Sequence, residues 1–281
     1  MSKIEMINLS YSYPGTEKPI LNDINVTIEE GEFIMLTGPS GCGKTTLCRC
    51  LNGLIPHFYG GELEGEVSVC DLSVKSNPMS ELSQQVGYVF QNPDNQLFAL
   101  TVEKDVAFGL ENLALPRNEI KNNIDWAMEI VGISELRNSS PNELSGGQKQ
   151  LVAIACVLAM RPRILIMDEP TSNLDPMAAR RMFDIIKSLN EKFGITVVLV
   201  EHRLDLLSTY VNRVIVMDEG SIKIDGSPKI VLSSPESQII GIGIPKVIRL
   251  HQEIKNEGFD MGEIPLTVED FTSAFRRMTR T

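Results

Sequence analysis

Short apolar runs alternate along the chain with longer segments in which apolar residues recur at helical spacing. Residues 32–37, 163–168 and 195–200 are mostly apolar, as strands are when both faces of their sheet are covered. Residues 24–28 instead alternate apolar and polar side chains, which predicts a half-exposed strand in an antiparallel sheet. The pattern therefore predicts an α/β fold with two sheet regions, one of them parallel or mixed and covered by helices.

Helical periodicity is clear in residues 117–133, where Trp126 is interpreted as a packing residue of an amphipathic helix rather than a ligand contact. Gly220 and Ser221 stand between two β-like runs and predict a hairpin. Prolines recur after this hairpin, at positions 228, 235 and 245. We therefore place a domain boundary near Asp225, which gives a main domain of residues 1–225 and an extension of residues 226–281.

The composition limits the class of protein. A chain of 281 residues that is 42% apolar can bury a large core, and a net charge of −11 disfavours a broad nucleic-acid interface, although local basic patches remain compatible with it. Five cysteines without C-x-x-C spacing favour reduced thiols. The most apolar run, residues 151–160, is about half of the ~20 residues that span a bilayer, and no secretory signal opens the chain. We therefore expect a cytoplasmic protein, which would need another subunit to form any membrane path.

A glycine-rich loop follows the strand at residues 33–37 and precedes a helical run, which is the context that a phosphate-binding P-loop requires. Its glycines let successive backbone N–H groups face phosphate oxygens, while Lys44 reaches the β- and γ-phosphates and Thr45 offers its hydroxyl to Mg²⁺. Cys42 is either a site where oxidation obstructs phosphate binding or an inert small residue. The predicted nucleotide contacts are Gly38, Pro39, Ser40, Gly41, Cys42, Gly43, Lys44, Thr45 and Thr46.

A second apolar strand, in residues 164–168, ends in the acidic pair Asp168 and Glu169. Ligands bind at the carboxyl ends of strands in open α/β sheets, so Asp168 is predicted in the Mg²⁺ shell. Glu169 is predicted to act on the attacking water as a base or an orienting group. The alternative is a strand that simply ends in solvated acids.

Residues 144–148, Leu-Ser-Gly-Gly-Gln, match the signature motif of ABC ATPases, which the chain resembles over residues 3–225. Gln91 resembles the glutamine of the family's Q-loop, residues 172–175 its D-loop, and His202 its switch histidine. Tyr13 occupies the place of the aromatic residue that stacks on adenine, with Tyr11 as a substitute; the alternative for Tyr13 is burial in the fold. A satisfied core histidine is the alternative for His202, whereas His57 and His251 lack any such context and are predicted at the surface.

The resemblance implies a P-loop NTPase fold of the ABC cassette type, with a mixed RecA-like sheet core, an antiparallel β subdomain, an α-helical subdomain around residues 92–160 and a small C-terminal extension. It implies ATP and Mg²⁺ as cofactors, with Thr45, Gln91 and Asp168 around the metal. Lys44, Gln91, Glu169 and His202 are the implied catalytic residues. Two cassettes pair head to tail, so that one chain's signature caps the nucleotide held by the other; the further implied contacts are Ser145, Gly146, Gly147, Gln148 and Asp175.

Residues 90–98, 201–205, 243–245 and 266–270 are similar to the energy-coupling-factor ATPases, which power uptake of vitamins or of cobalt and nickel ions. This similarity implies a peripheral protein at the cytoplasmic face of the membrane. Its implied partners are a second ATPase, identical or related, a transmembrane coupling subunit and a substrate-binding membrane subunit. Three departures put only partner or interface details in doubt: Leu151 and Cys156, where arginine is frequent, and Asn173 in the D-loop.

The extension carries two apolar sets at near-helical spacing, one from Val247 to Ile254 and one from Val268 to Phe275. Such short helices bury little surface alone, so we expect them to pack on the cassette and, by the resemblance, on the partner's extension as a tether. The alternative is an extension that covers only its own cassette. For the whole protein, the alternatives to a transport motor are a soluble ABC ATPase acting on DNA or ribosomes and a non-hydrolysing regulatory cassette.

Overall fold

The computed structural model describes residues 3–172 and 174–278, so Asn173, the D-loop departure, lies outside the described residues. The strands are β1 Ile4–Ser12, β2 Leu21–Ile28, β3 Phe33–Thr37, β4 Glu62–Val69, β5 Leu72–Ser73, β6 Val86–Val89, β7 Ile164–Asp168, β8 Thr196–Val200, β9 Arg213–Asp218 and β10 Ser221–Gly226. The α-helices are α1 Lys44–Leu51, α2 Leu54–His57, α3 Met79–Gln85, α4 Val102–Asn112, α5 Arg117–Val131, α6 Gly146–Ala159, α7 Pro176–Phe193, α8 Leu204–Leu207, α9 Pro228–Ser233, α10 Pro235–Ile240, α11 Lys246–Asn256 and α12 Val268–Met278.

The strands form the two predicted sheet regions. The larger sheet has the order β10-β9-β3-β8-β7-β6, in which β10 is antiparallel to β9 and the other neighbouring strands are parallel. The smaller sheet, in the order β2-β1-β4-β5, is antiparallel, and β2 alternates buried and exposed positions as its sequence predicts. The α/β fold with a mixed sheet, an antiparallel sheet and a helical layer is confirmed.

The larger sheet is covered on both faces, which explains its nearly continuous apolar strands. In β7, Leu165 and Met167 join a cluster with the helices α4 to α7, whereas Ile164 and Ile166 join a second cluster with α1 and the antiparallel sheet. Burying one such side chain contributes about 1.5–3 kcal/mol. The two clusters therefore fix the carboxyl ends of β3, β7 and β8 relative to α1, and the loops that follow these strands build the site.

The helices α4, α5 and α6 pack on one another and on the sheet. Trp126 of α5 is a packing residue, as predicted: the Arg161 guanidinium lies 3.2 Å from its ring centroid, and the Phe193 ring meets it edge to face at 5.5 Å. Gly220 and Ser221 form the predicted hairpin between β9 and β10. No helix in the described part of the chain is long and apolar enough to cross a bilayer.

The extension packs on the main domain. Val231 and Leu232 of α9 and Ile248 of α11 belong to the same hydrophobic cluster as β9, so a division near Asp225 stays a proposal. The surface prediction for His251 is wrong, because its side chain is 2% exposed. It follows Ile248 by three positions and so lies on the same helical face, where its Nε2 is 3.3 Å from the Gly262 carbonyl oxygen. His57 is exposed, as predicted.

Candidate nucleotide site

The glycine-rich loop curls between β3 and α1, and two of its glycines have no substitute. Gly38 has a φ of 146°, and a Cβ on it would lie 2.0 Å from the Met217 carbonyl oxygen. Gly43 has a φ of 105°, and its Cβ would lie 3.0 Å from the Ile20 carbonyl oxygen. Helix α1 then begins at Lys44 without a side-chain cap, so its first N–H groups and its dipole are available to an anion. The loop is therefore built to hold phosphate.

Lys44 places its ammonium inside this curl, 2.9 Å from the Gly38 carbonyl oxygen and 2.8 Å from that of Pro39. A phosphate in the loop would meet this charge directly. Cys42 is buried and its Sγ lies 3.7 Å from the Lys44 Nζ. Burial raises the pKa of the Cys42 thiol in spite of the neighbouring ammonium, which favours the inert small residue over a reactive thiol.

Thr45 and Asp168 meet, as a shared Mg²⁺ site requires. The Thr45 hydroxyl donates to the Asp168 Oδ1 at 3.2 Å, and the Tyr88 phenol donates to the Oδ2 at 3.1 Å. Burial raises the pKa of the Asp168 carboxyl, and both hydrogen bonds oppose this rise. These oxygens suit Mg²⁺, which in nucleotide sites takes one or two protein ligands besides phosphates and water. Tyr88 was not predicted, since it carries no motif and reaches Asp168 only through the pairing of β6 with β7.

Glu169 lies between Gln91 and His202. The Gln91 amide donates to the Glu169 Oε2 at 2.8 Å, and the His202 Nε2 lies 3.1 Å from the Oε1. The backbone of Glu169 is left-handed, with a φ of 48°, which costs a non-glycine residue about 1–3 kcal/mol. Residues from three separate loops therefore converge on one carboxylate. Gln91 contacts Glu169 rather than Asp168. It therefore lies beside Thr45 and Asp168, the pair predicted to hold the metal, and not between them.

Tyr13 lies against α1 and keeps part of its surface exposed. Its hydroxyl is 3.2 Å from the Thr46 Oγ1 and accepts from Arg49 at 3.2 Å. Tyr11, the predicted substitute, is fully buried, its hydroxyl donates to the Gly60 carbonyl, and burial raises its pKa to about 12. The structure thus leaves Tyr13 as the ring beside the P-loop helix. Arg49, whose guanidinium also stacks on Tyr59 at 4.6 Å, was not predicted.

The signature segment caps α6 on the exposed surface. The Ser145 hydroxyl accepts from the Gln148 N–H, and the Gln148 side chain accepts from the Ser145 N–H, which leaves Gly146 and Gly147 in the first turn. Asp175 caps α7 by accepting from the N–H groups of Met177 and Ala178, and these bonds lower the pKa of its carboxyl. Within the described residues, no hydrogen bond or ion pair joins Ser145–Gln148 or Asp175 to the P-loop. One chain therefore supplies the two halves of the predicted site at separate places.

Known proteins are similar to this chain in sequence and in fold. A family model described as ABC transporter matches residues 21–172, more than half of the chain. The energy-coupling factor transporter ATP-binding protein EcfA1 of Caldanaerobacter subterraneus is 41% identical over 268 residues, which are 94% of this chain and 95% of that protein. The structure of cbiO1 from Clostridium perfringens, part of the ABC transporter complex cbiONQ, is 32% identical with a TM-score of 0.76 and covers 91% of this chain and 96% of its own. The cassette MJ0796, dimeric and bound to ADP and Pi after hydrolysis, is 30% identical with a TM-score of 0.70, over 80% of this chain and 98% of its own.

The curated relatives differ in length. The chain matches a Pyrococcus abyssi relative over its whole length at 41% identity, but only 39% of the length of a Methanosarcina acetivorans relative, at 46% identity over 256 residues. The matched family, the P-loop between β3 and α1 and the cluster around Glu169 confirm the resemblance to ABC ATPases. The similarity to EcfA1 and to cbiO1 confirms the resemblance to the energy-coupling-factor type. The chain belongs to the ABC transporter family and is an ATP-binding, ATP-hydrolysing cassette.

Proposed function

We propose that this cassette is the ATP-hydrolysing subunit of an energy-coupling-factor importer, which drives uptake of a vitamin or of cobalt or nickel ions through partner membrane subunits. The similarity to EcfA1 and to cbiO1 supports this class. The main support comes from residues 90–98, which contact both the site and a surface groove. At one end Gln91 holds Glu169, and farther along their side chains line an apolar groove open to a partner.

In the proposed mechanism the P-loop and Lys44 bind the phosphates of ATP, while Tyr13 packs against the adenine. Thr45 and Asp168 would hold Mg²⁺, which would screen charge on the phosphates. Glu169 accepts a proton from the attacking water or orients it towards the γ-phosphorus. Gln91 and His202 fix the Glu169 carboxylate, and His202 also presents its imidazole towards the γ-phosphate. Each of these side chains ends or follows a strand of the larger sheet or belongs to α1, except Tyr13, which follows β1 of the smaller sheet.

The second half of the site comes from another cassette in this proposal. The N–H groups of Gly146 and Gly147, which the capping box of Ser145 and Gln148 does not use, form an anion site that faces outwards. They would cap the γ-phosphate held by Lys44 of the partner, as the separation of the two halves within one chain suggests. The dimeric MJ0796 structure with ADP and Pi supports pairing of such cassettes. The second cassette is a copy of this chain or a related ATPase.

The groove under residues 90–98 is the proposed seat for a cytoplasmic helix of the transmembrane coupling subunit. It is a cavity of about 380 Å³ between α3, α4 and α6, with Phe98 and Phe108 exposed at its edge and in edge-to-face contact at 4.8 Å. Asp105 is the charged residue of its lining. The Oδ1 accepts from the N–H groups of Phe98 and Ala99, whereas the Oδ2 is buried without a hydrogen-bond partner. An apolar helix face with a basic side chain suits this groove.

The same groove disfavours nucleic acid as the partner. Its charged lining residue is an acid and the whole chain carries a net charge of −11, so neither provides the clustered cations that phosphates need. The intact set of Lys44, Asp168, Glu169 and His202 disfavours a non-hydrolysing regulator. Docking through the groove would place the protein peripherally on the cytoplasmic face of the membrane.

Co-purification tests this function. The tagged chain, expressed in its natural host and extracted in mild detergent, should retain integral membrane proteins identified by mass spectrometry. Phe98→Asp should reduce their recovery by about 10- to 100-fold, since it removes roughly 1.5–3 kcal/mol of apolar burial from the interface. Ile230→Asp is the matched control, because both side chains are 66% exposed and Ile230 lies on α9, outside the groove. Recovery of ribosomal or DNA-bound proteins, or unchanged recovery with Phe98→Asp, would contradict the proposal.

A further inference from the structure

A buried carboxylate lies directly behind the site without a role in the chemistry described so far. Glu201 follows β8 and is 4% exposed. Its Oε1 accepts from both the N–H, at 3.1 Å, and the hydroxyl of Thr171, and its Oε2 accepts from the N–H of His202 at 3.0 Å. A carboxylate can satisfy three such donors at once, which an amide of the same shape cannot. The position therefore suits Glu and not Gln.

The two donors belong to the loops that carry Glu169 and His202. Strand register pairs Asp168 with Val200, so Glu169 and Glu201 each follow a paired residue of adjacent parallel strands. Thr171 is fully buried and stands two residues after Glu169. Glu201 thus joins the loop after β7 to the loop after β8 immediately behind the face on which Glu169 meets His202.

The backbone of Glu169 needs such a clamp. Its left-handed φ is unfavourable for a residue with a side chain, and the following Pro170 restricts it further, so the conformation persists only where neighbours over-determine it. On one side the Glu169 N–H donates to the Val200 carbonyl at 2.9 Å. On the other side, beyond Pro170, the two bonds from Thr171 to Glu201 hold the chain.

We infer that Glu201 is a positioning residue for ATP hydrolysis: by clamping Thr171 and the backbone of His202 it sets the directions of the Glu169 carboxylate and the His202 imidazole. The inference rests on the roles proposed above for Glu169 and His202. Arg203 adds a second tie, because its guanidinium donates to the Leu174 carbonyl at 2.8 Å. Residues 201–203 are therefore bonded to the loop after β7 at Thr171 and at Leu174. In this inference, a displacement of the D-loop would be transmitted through these bonds to Glu169.

A purely structural Glu201, which only satisfies buried donors, predicts a different outcome. It would lower the melting temperature when changed, but the rate at saturating ATP would fall only as far as the folded fraction falls. A positioning residue lowers kcat in a folded protein with little change in ATP affinity, and its effect disappears once the group it positions has been removed.

The decisive variant is Glu201→Gln in the full chain, measured by steady-state hydrolysis at saturating ATP, which gives kcat, and by binding of a fluorescent ATP analogue. We expect kcat to fall about 10- to 100-fold, the scale of a misplacement of about 1 Å, with the Kd for nucleotide within about threefold of the parent. Thr171→Val, which removes the hydroxyl and keeps the shape, should act in the same direction, and Thr171→Ser should restore the parental rate. Asn190→Ala is the control, because Asn190 is a buried residue that bridges the Gly31 and Ile195 carbonyls at the opposite end of β8; it should lower the melting temperature and leave kcat unchanged.

A double-mutant cycle with Glu169→Gln completes the test. If Glu201 acts through Glu169, adding Glu201→Gln to Glu169→Gln should change the residual rate by less than about threefold. A parental kcat in Glu201→Gln, or losses that multiply in the double variant, would overturn the inference. If Glu169→Gln itself hydrolyses ATP at the parental rate, the role proposed for Glu169 fails instead. These two failures are distinguishable because the single variants are measured separately.

Discussion

The Glu169 carboxylate is held by two neighbouring side chains. One carboxylate oxygen contacts the Gln91 amide and the other contacts the His202 imidazole. Because Gln91 and His202 are both exposed, neither contact is a buried ion pair. In the proposed mechanism, the carboxylate would also accept from the attacking water. Its neighbour Asp168 is instead taken by Thr45 and Tyr88. In the proposed mechanism the two adjacent acids therefore have different roles, because Asp168 contacts Thr45 and Tyr88 whereas Glu169 contacts Gln91 and His202.

Glu169→Gln tests this division. The variant keeps the shape of the site and the Asp168 pair, so it should bind ATP like the parent but hydrolyse it roughly 10²–10⁴-fold more slowly, the usual contribution of a positioned base. It should also accumulate a closed dimer with ATP, visible by size-exclusion chromatography. Glu191→Gln, at an exposed position on α7 where the acid pairs with Lys187, is the control. Parental hydrolysis by Glu169→Gln would show that the role assigned to Glu169 is wrong.

Site residues that belong to a sequence motif could be predicted, whereas residues that reach the site only through tertiary contacts could not. Lys44, Asp168, Glu169 and His202 follow strands or loops whose local pattern identifies them. Tyr88 and Glu201 have no such pattern, because each becomes relevant only when strands far apart in the sequence pair. The surface prediction for His251 rests on its lack of a motif and leaves out the helical face that it shares with Ile248.

At the element scale, the strands of the larger sheet and the helix α5 could be predicted because each is long enough to show its own period. The helices α9 and α10 are six residues each, both begin at a proline, and their buried positions depend on the cluster formed with β9, so the sequence indicated only a change in composition there. Packing against the rest of the chain supplied the missing information. Farther along the extension, α11 and α12 could be predicted, and so could the packing of α11 on the cassette, but not the particular residues that these helices contact.

The extension leaves an apolar groove between α11 and α12, of about 750 Å³, that exposes Leu250, Phe259 and Phe275. We propose that it pairs with the extension of the second cassette and tethers the two while their ATP faces separate, raising the effective concentration for closure. Removing the chain after Ser234 would also remove Ile248 from the core cluster, so a surface change is the sharper test.

Leu250→Glu combined with Phe275→Glu should make the protein monomeric without nucleotide while ATP binding persists, whereas the parent, alone or with its natural ATPase partner, remains dimeric at micromolar concentration. Sedimentation velocity measures this. Val268→Glu, at another exposed position of α12, is the control. A parent that is monomeric without nucleotide even with its partner present would contradict the tether and leave the extension as a cover for its own cassette.

Across the whole molecule, the fold supports the proposal that two cassettes together complete one site. The P-loop and the acidic pair lie at the carboxyl ends of β3 and β7, whereas the signature opens α6 and is joined to them by no hydrogen bond or ion pair within the described residues. The ion pair of Asp94 with Lys149, at 2.6 Å, instead links the signature helix to the segment that lines the docking groove. Residues 90–98 therefore contact Glu169 through Gln91 and the signature helix through Asp94, and they also line the groove.

The central claim, that each ATP is shared between two cassettes, is tested most directly by mixing two inactive variants. Lys44→Ala should lose most nucleotide binding, and Ser145→Arg should bind nucleotide but fail to form the ATP-dependent dimer. Their mixture, made with the chain alone or with its natural ATPase partner carrying one of the changes, should regain hydrolysis at about one working site per pair, because one chain keeps an intact signature and the other an intact P-loop. A mixture that stays inactive although subunit exchange is demonstrated would contradict the shared site.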